Sequence, residues 1–168
     1  MFRFLQFKEF IMRLEGSERT LIPKHVINAC LGQCAQYDIN PMTNPELVTL
    51  SRMREFLSST GYSSFFENIP NIISILTHAP SHRFSSIQKE QLNAIFLSVQ
   101  GPYEKHKGRR KNFLSYAYIT YKLCELLNYN EFLPLLRLLD HRNLLSADCI
   151  WRKICTLSTL KYTNSITT

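Results

Sequence analysis

Residues Lys105, His106, Lys107, Gly108, Arg109, Arg110 and Lys111 place five permanent cations and one titratable imidazole in a single uninterrupted run. Side chains of this kind do not break bonds by themselves; their chemistry is the capture of phosphate or carboxylate oxygens through charge-assisted hydrogen bonds. The apolar spacing that follows predicts a long helix from Asn112 to Leu127, which would put the run directly before a helix start. Cations there oppose the positive end of the helix macrodipole, so an anion held between the basic side chains and the free N–H groups of the first turn, from Asn112 on, would resolve the conflict. Gly108 would let the backbone approach such an anion closely. Lys122, Arg152 and Lys153 extend the patch if their helices pack beside it. The candidate nucleic-acid-binding set is therefore Lys105, His106, Lys107, Gly108, Arg109, Arg110, Lys111, Asn112 and Lys122. Phosphate contacts position a protein without reading sequence, so the run implies salt-sensitive, weakly specific binding. A solvated loop that merely keeps the chain soluble, or a docking face for an acidic protein, would use the same residues.

Tyr103, Phe113, Tyr116, Tyr118 and Tyr121 surround the run. Base stacking on Tyr103 or Tyr116 is conceivable, but Phe113, Ala117, Tyr121 and Cys124 share one helical face and read as core. For catalysis the sequence is poor: it has no GxSxG, no Gly-rich phosphate loop and no HExxH, and its basic part holds few carboxylates. The expectation is a protein that is not an enzyme. Cys30 and Cys34 lie one helical turn apart and could ligate zinc with His25, or with His78 and His82. The spacing fits no standard zinc pattern, so core packing is the preferred reading; Cys124, Cys149 and Cys155 read the same way, and no metal or cofactor is expected. Asp148 reads as an ion-pair partner or a helix cap, with no catalytic role.

The elements that must position the run are helical throughout. Phe4, Phe7, Phe10, Ile11 and Leu14 recur at helical spacing and stop at Gly16. A second helix starts at Pro23 and runs to about Tyr37, and a third is announced by Asn44, Pro45 and Glu46 as cap, first-turn proline and dipole-compatible acid, ending at Gly61. Phe65 to Leu76 contains Pro70, where a helix restarts or kinks. Ser85 and Gln88 match a capping box and open a fifth helix, stopped by Gly101 and Pro102. After the long Asn112 helix come a short element at Phe132 to Leu139, a final helix at Leu144 to Leu157, and an extended tail or short strand from Lys161 to Thr168. The fold expectation is all-α: one compact domain over residues 1–168, about seven to eight helices and a short extended C-terminal tail.

The charge of +7 is unevenly spread. Residues 1–99 carry 9 Lys/Arg against 8 Asp/Glu, whereas residues 100–168 carry 11 against 5. The first stretch reads as helical support and the second as the basic region that meets a polyanion. With 45% hydrophobic residues the chain has material for a core, and no apolar stretch approaches the roughly 20 residues of a membrane span. Five scattered cysteines without a CxxC pair suggest reduced thiols in an intracellular protein.

The run RKNFLSYAY from Arg110, YKLCELL from Tyr121 and EFLPLL from Glu131 resemble the viral late transcription factor 3-like family of poxviruses and related large DNA viruses. Leu145, Asp148, Ile150, Trp151, Ile154 and Cys155 are similar to its closing pattern, and FLQFKEFIMRLEG, Arg52 to Leu57 and FFENIPNIISIL to its earlier helices. Two departures stand out. The family's N-terminal Cys-rich zinc segment has no counterpart here, and Leu160 stands where the family has Trp. The resemblance implies a late-gene transcription factor acting with the viral RNA polymerase at late promoter DNA, inside the infected host cell, in cytoplasm or viral factory. No small-molecule substrate and no membrane partner are expected; the rival reading is a polymerase-docking adaptor that binds an acidic protein surface and not DNA.

Overall fold

The computed structural model describes residues 1–17, 21–136, 141–163 and 165. Among them the chain is helical with no strand, as the periodicity requires: α1 (Phe2–Leu14), α2 (Lys24–Gln36), α3 (Leu50–Ser59), α4 (Ile69–Thr77), α5 (Ser86–Ser98), α6 (Gln100–His106), α7 (Tyr116–Leu127) and α8 (His141–Ser158), with short 3-10 turns between some of them. The helices gather into two compact units, one formed by residues 8–83 and the other by residues 1–7 with 84–168.

In the unit of residues 8–83, α2, α3 and α4 bury Val26, Cys30, Cys34, Met53, Leu57 and Ile72 in one apolar cluster. The unit opens with the last turns of α1, and Gly16 turns the chain just beyond them. That glycine has φ +61°, and a Cβ there would sit 3.0 Å from the Asn71 backbone nitrogen, so both conformation and space demand glycine. Pro70 lies in the first turn of α4, where its missing N–H costs nothing, so the helix restarts there. The expected helix start at Asn44 is different: Pro45–Leu47 forms only a 3-10 turn, and Asn44 makes no side-chain cap. Thr49 caps α3 instead, its hydroxyl accepting from the Arg52 N–H at 3.2 Å.

In the other unit, Phe7 stacks on Phe96 at 4.0 Å and Phe84 on Phe132 at 3.6 Å. The Ser85–Gln88 capping box forms as expected, with both reciprocal bonds present. Gly101 and Pro102, expected to stop the chain after α5, lie inside α6. Pro102 is third in that helix, where no intrahelical N–H is required, and Val99 in helical conformation ends α5 and begins α6 without a loop. α7 is the expected buried helix, but it starts at Tyr116 and not at Asn112, and its buried face is set by Tyr118, Ile119, Lys122 and Leu123. Phe113, Ala117 and Tyr121, expected in the core, are half-buried. α8 starts three residues earlier than the apolar pattern suggests and buries Ala147, Trp151 and Ile154. The short element is a 3-10 turn at Asn130–Leu135; its expected last residues, 137–139, and tail residues 164 and 166–168 lie outside the described set.

Candidate polyanion-binding surface

The basic run sits at the end of α6 and in the loop beyond it. Lys105 and His106 form the last turn of α6, where cations face the negative end of the helix dipole and are favoured. The conflict expected at a helix N-terminus therefore does not arise. Asn112 to Ser115 intervene before α7, and Leu114 turns into the core, so the first turn of α7 does not begin at Asn112.

Three contacts fix the loop. The Tyr103 hydroxyl, fully buried, donates to the Asn112 carbonyl at 2.8 Å. The Arg110 N–H donates to the Lys107 carbonyl at 3.1 Å, closing a turn through Gly108, whose φ of +57° is the reason for glycine there; a Cβ would meet open space. Arg110 Nη1 donates to Ser146 Oγ of α8 at 3.0 Å. The loop is thus seated on α6 and α8, with Arg109 and Lys111 exposed on it.

Each cation has a different situation. Lys107 pairs with Glu104 at 2.5 Å, and Arg3 from α1 reaches the other oxygen of the same carboxylate. The hydrogen bond from Lys107 and then that from Arg3 hold the Glu104 carboxyl below the usual carboxylate range. Arg3 also lies over the rings of Tyr103 and Phe113, at 5.2 and 5.1 Å. Lys105, Arg109 and Lys111 are exposed and have no ionic partner among the described residues. His106 is half-buried, and Gly108 and Asn112 are exposed.

Lys122 does not belong to this surface. It is 2% exposed, and its Nζ donates to the Thr163 carbonyl at 2.7 Å and to Glu125 at 3.0 Å, with Asp148 at 3.9 Å. Asp148, also buried, accepts from the Tyr118 hydroxyl at 2.5 Å and from the Ser165 hydroxyl and N–H at 2.7 and 2.9 Å. Burial, then the bond to Asp148, push the Tyr118 phenol well above its ordinary value, so it remains a donor. The pairing expected of Asp148 is therefore made with Lys122, in the interior. A signal for it existed: Lys122 shares a helical face with Tyr118 and Ile119, and Asp148 with Trp151 and Cys155, so periodicity places both charges among core positions.

Base stacking on Tyr103 is overturned, since its ring is internal and its hydroxyl spent on the loop. Tyr116 is half-buried and donates to Gln6 at 2.8 Å. Cys30 and Cys34 are buried, while His25, His78 and His82 are exposed. Burial raises the Cys30 thiol to about 11, an inert group. Among the described residues no three His, Cys, Asp or Glu side chains gather as a metal site would require. No helix among the described residues is long and apolar enough to cross a membrane.

These features define an all-helical protein that presents a pinned cationic loop. The chain belongs to the family described as poxvirus late transcription factor VLTF3 like, which matches residues 2–162. It is 36% identical over 149 residues to "Putative transcription factor A494R" of Paramecium bursaria Chlorella virus 1, covering 88% of this chain and 41% of that protein. It is 31% identical over 151 residues to "Putative transcription factor R429" of Acanthamoeba polyphaga mimivirus, covering 88% and 34%. The chain therefore spans well under half the length of these curated relatives. No solved structure matches it.

Proposed function

We propose that the chain serves viral late-gene transcription, in the infected cell and with the viral RNA polymerase, by contacting the phosphates of promoter DNA through the loop after α6. Family membership and the names of the relatives support the transcription role. The observation that carries the contact is the triad Lys105, Arg109 and Lys111: outward, unpaired among the described residues, and displayed by a loop tied down at Asn112 and Ser146. A preorganised cationic loop gives up little conformational entropy on binding, which distinguishes it from a floppy basic tail.

The test is fluorescence anisotropy of labelled DNA over a salt series, for the wild type and for Lys105→Ser/Arg109→Ser/Lys111→Ser. Each phosphate contact contributes a slope of about −0.9 in log K against log salt on duplex DNA, so the variant should bind more weakly with a slope shallower by about 2.7. Unchanged affinity and slope in the variant would overturn the assignment to this loop. Failure of the wild type to bind, with polymerase co-purification lost in the variant, would turn the reading to an acidic protein surface.

A further inference from the structure

Resting on the DNA reading above, we infer that the ligand is the backbone of a duplex and that α8 supplies a second line of contact beside the loop. Arg110 meets α8 at Ser146, so the face of α8 next to the loop is the stripe through Ser146. Helical spacing puts Arg142, Cys149 and Lys153 on that stripe, and all three are exposed. The one acid in α8, Asp148, is buried and turned to Tyr118 and Ser165, so it subtracts nothing from the outer face. Arg142 and Lys153 are eleven positions apart, about 16 Å along a rigid helix at 1.5 Å per residue. Together with Lys105, Arg109 and Lys111 they make a fixed cationic surface rather than a single basic loop.

What this surface lacks is a stacking platform. Binding to a single strand draws on aromatic faces offered to the bases. Here Tyr103 is internal, Phe113 is half-buried with Arg3 over its ring, and Tyr116 is tied to Gln6. Tyr162, beside α8, is half-buried with its face under Arg152 at 5.2 Å. The exposed Phe2 borders a groove with Arg3, Leu97, Gln100 and Glu104, and belongs neither to the loop nor to α8. Fixed cations with no exposed ring among the described residues of the loop and α8 match a stiff polyanion that carries one charge per about 1.7 Å of axis, which is duplex DNA.

The experiment compares duplex and single-stranded DNA of equal length by anisotropy at matched salt, with the wild type and Arg142→Ser/Lys153→Ser. Both substituted residues are exposed, and unchanged helical circular dichroism and Trp151 emission verify the variant's fold. The duplex should bind at least about tenfold tighter, and the variant should lose duplex affinity with a slope shallower by about 1.8, two contacts at about 0.9 each. Equal or tighter binding of the single strand overturns the inference while leaving the phosphate reading intact. So does a variant whose duplex slope is unchanged. Binding of neither DNA removes both, and polyglutamate binding as tight as duplex at the same salt reassigns the surface to an acidic protein.

Discussion

Replacing Asp148 by Ala should unfold the unit of residues 1–7 and 84–168 at distinctly lower denaturant. The carboxylate takes three hydrogen bonds, from the Tyr118 hydroxyl and from the hydroxyl and N–H of Ser165. Truncation leaves the fully buried Tyr118 hydroxyl without its acceptor, at about 1–3 kcal/mol, and removes two bonds to the half-exposed Ser165, at about 0.5–1 kcal/mol each. Lys122 keeps Glu125 and the Thr163 carbonyl, so the larger penalty of a wholly uncompensated buried charge, about 3–5 kcal/mol, is not added in full. The expected loss is about 3 kcal/mol, or about 6–12 °C in Tm for a chain of this size. Asp148→Asn keeps an acceptor for Tyr118 and should cost about 1 kcal/mol. The assay is urea unfolding followed by Trp151, the chain's one tryptophan, buried in α8 three residues from the substitution. A loss below about 1 kcal/mol in the Ala variant, or an Asn variant worse than Ala, would refute the reasoning.

Three further outcomes are expected. Gly16→Ala should cost about 2–4 kcal/mol, since it combines a φ of +61° with a Cβ driven against the Asn71 backbone, whereas Gly108→Ala, with φ +57° in open space, should cost about 1 kcal/mol; paired denaturation curves decide whether that order holds. Ellman titration of the native protein should modify the exposed Cys149 alone among its cysteines at an early time, with Cys30, Cys34, Cys124 and Cys155 reacting only on unfolding; prompt reaction of two or more would contradict their burial. Stability should fall as pH rises above about 9: burial holds Cys30 and Cys155 at about 11 and Cys124 at about 12, so the unfolded chain releases these protons first, and the loss grows until pH reaches the folded values and then stays at its full size. Urea midpoints at pH 8 and pH 10 measure it, and equal midpoints would count against the buried thiols.

Local signals with one physical interpretation were legible. Ser85 and Gln88 three residues apart form the capping box they announce, and Gly16 ends α1 because only glycine suits that turn. Signals with two interpretations were not. Pro102 after Gly101 reads as a stop, yet the same proline is harmless in a first turn, and the chain uses it that way to build α6. That difference, together with the start of α7 at Tyr116, took the basic run off the start of one helix and put its first two members, Lys105 and His106, at the favourable end of another. Asn44 lost its role to Thr49 because a 3-10 turn at Pro45–Leu47 delays the helix, and Thr49 offers a cap oxygen at the later start. Of the candidate site, the cluster of cations in the loop was visible in sequence, whereas the helical face that Lys122 shares with Tyr118 and Ile119, which marks a core position, was outweighed by its residue type. A lysine is a surface residue by default, and only the partners Glu125, Asp148 and Thr163 explain its place inside.

The first helix belongs to both units, and this sets an order on synthesis. Phe7 leaves the ribosome among the first residues, but the ring it stacks on, Phe96, is translated only after every residue of the 8–83 unit. Arg3 likewise waits for Glu104, and Gln6 for Tyr116. Residues 1–7 therefore stay without these partners through the whole translation of the 8–83 unit, and gain them only as the second half of the message is read.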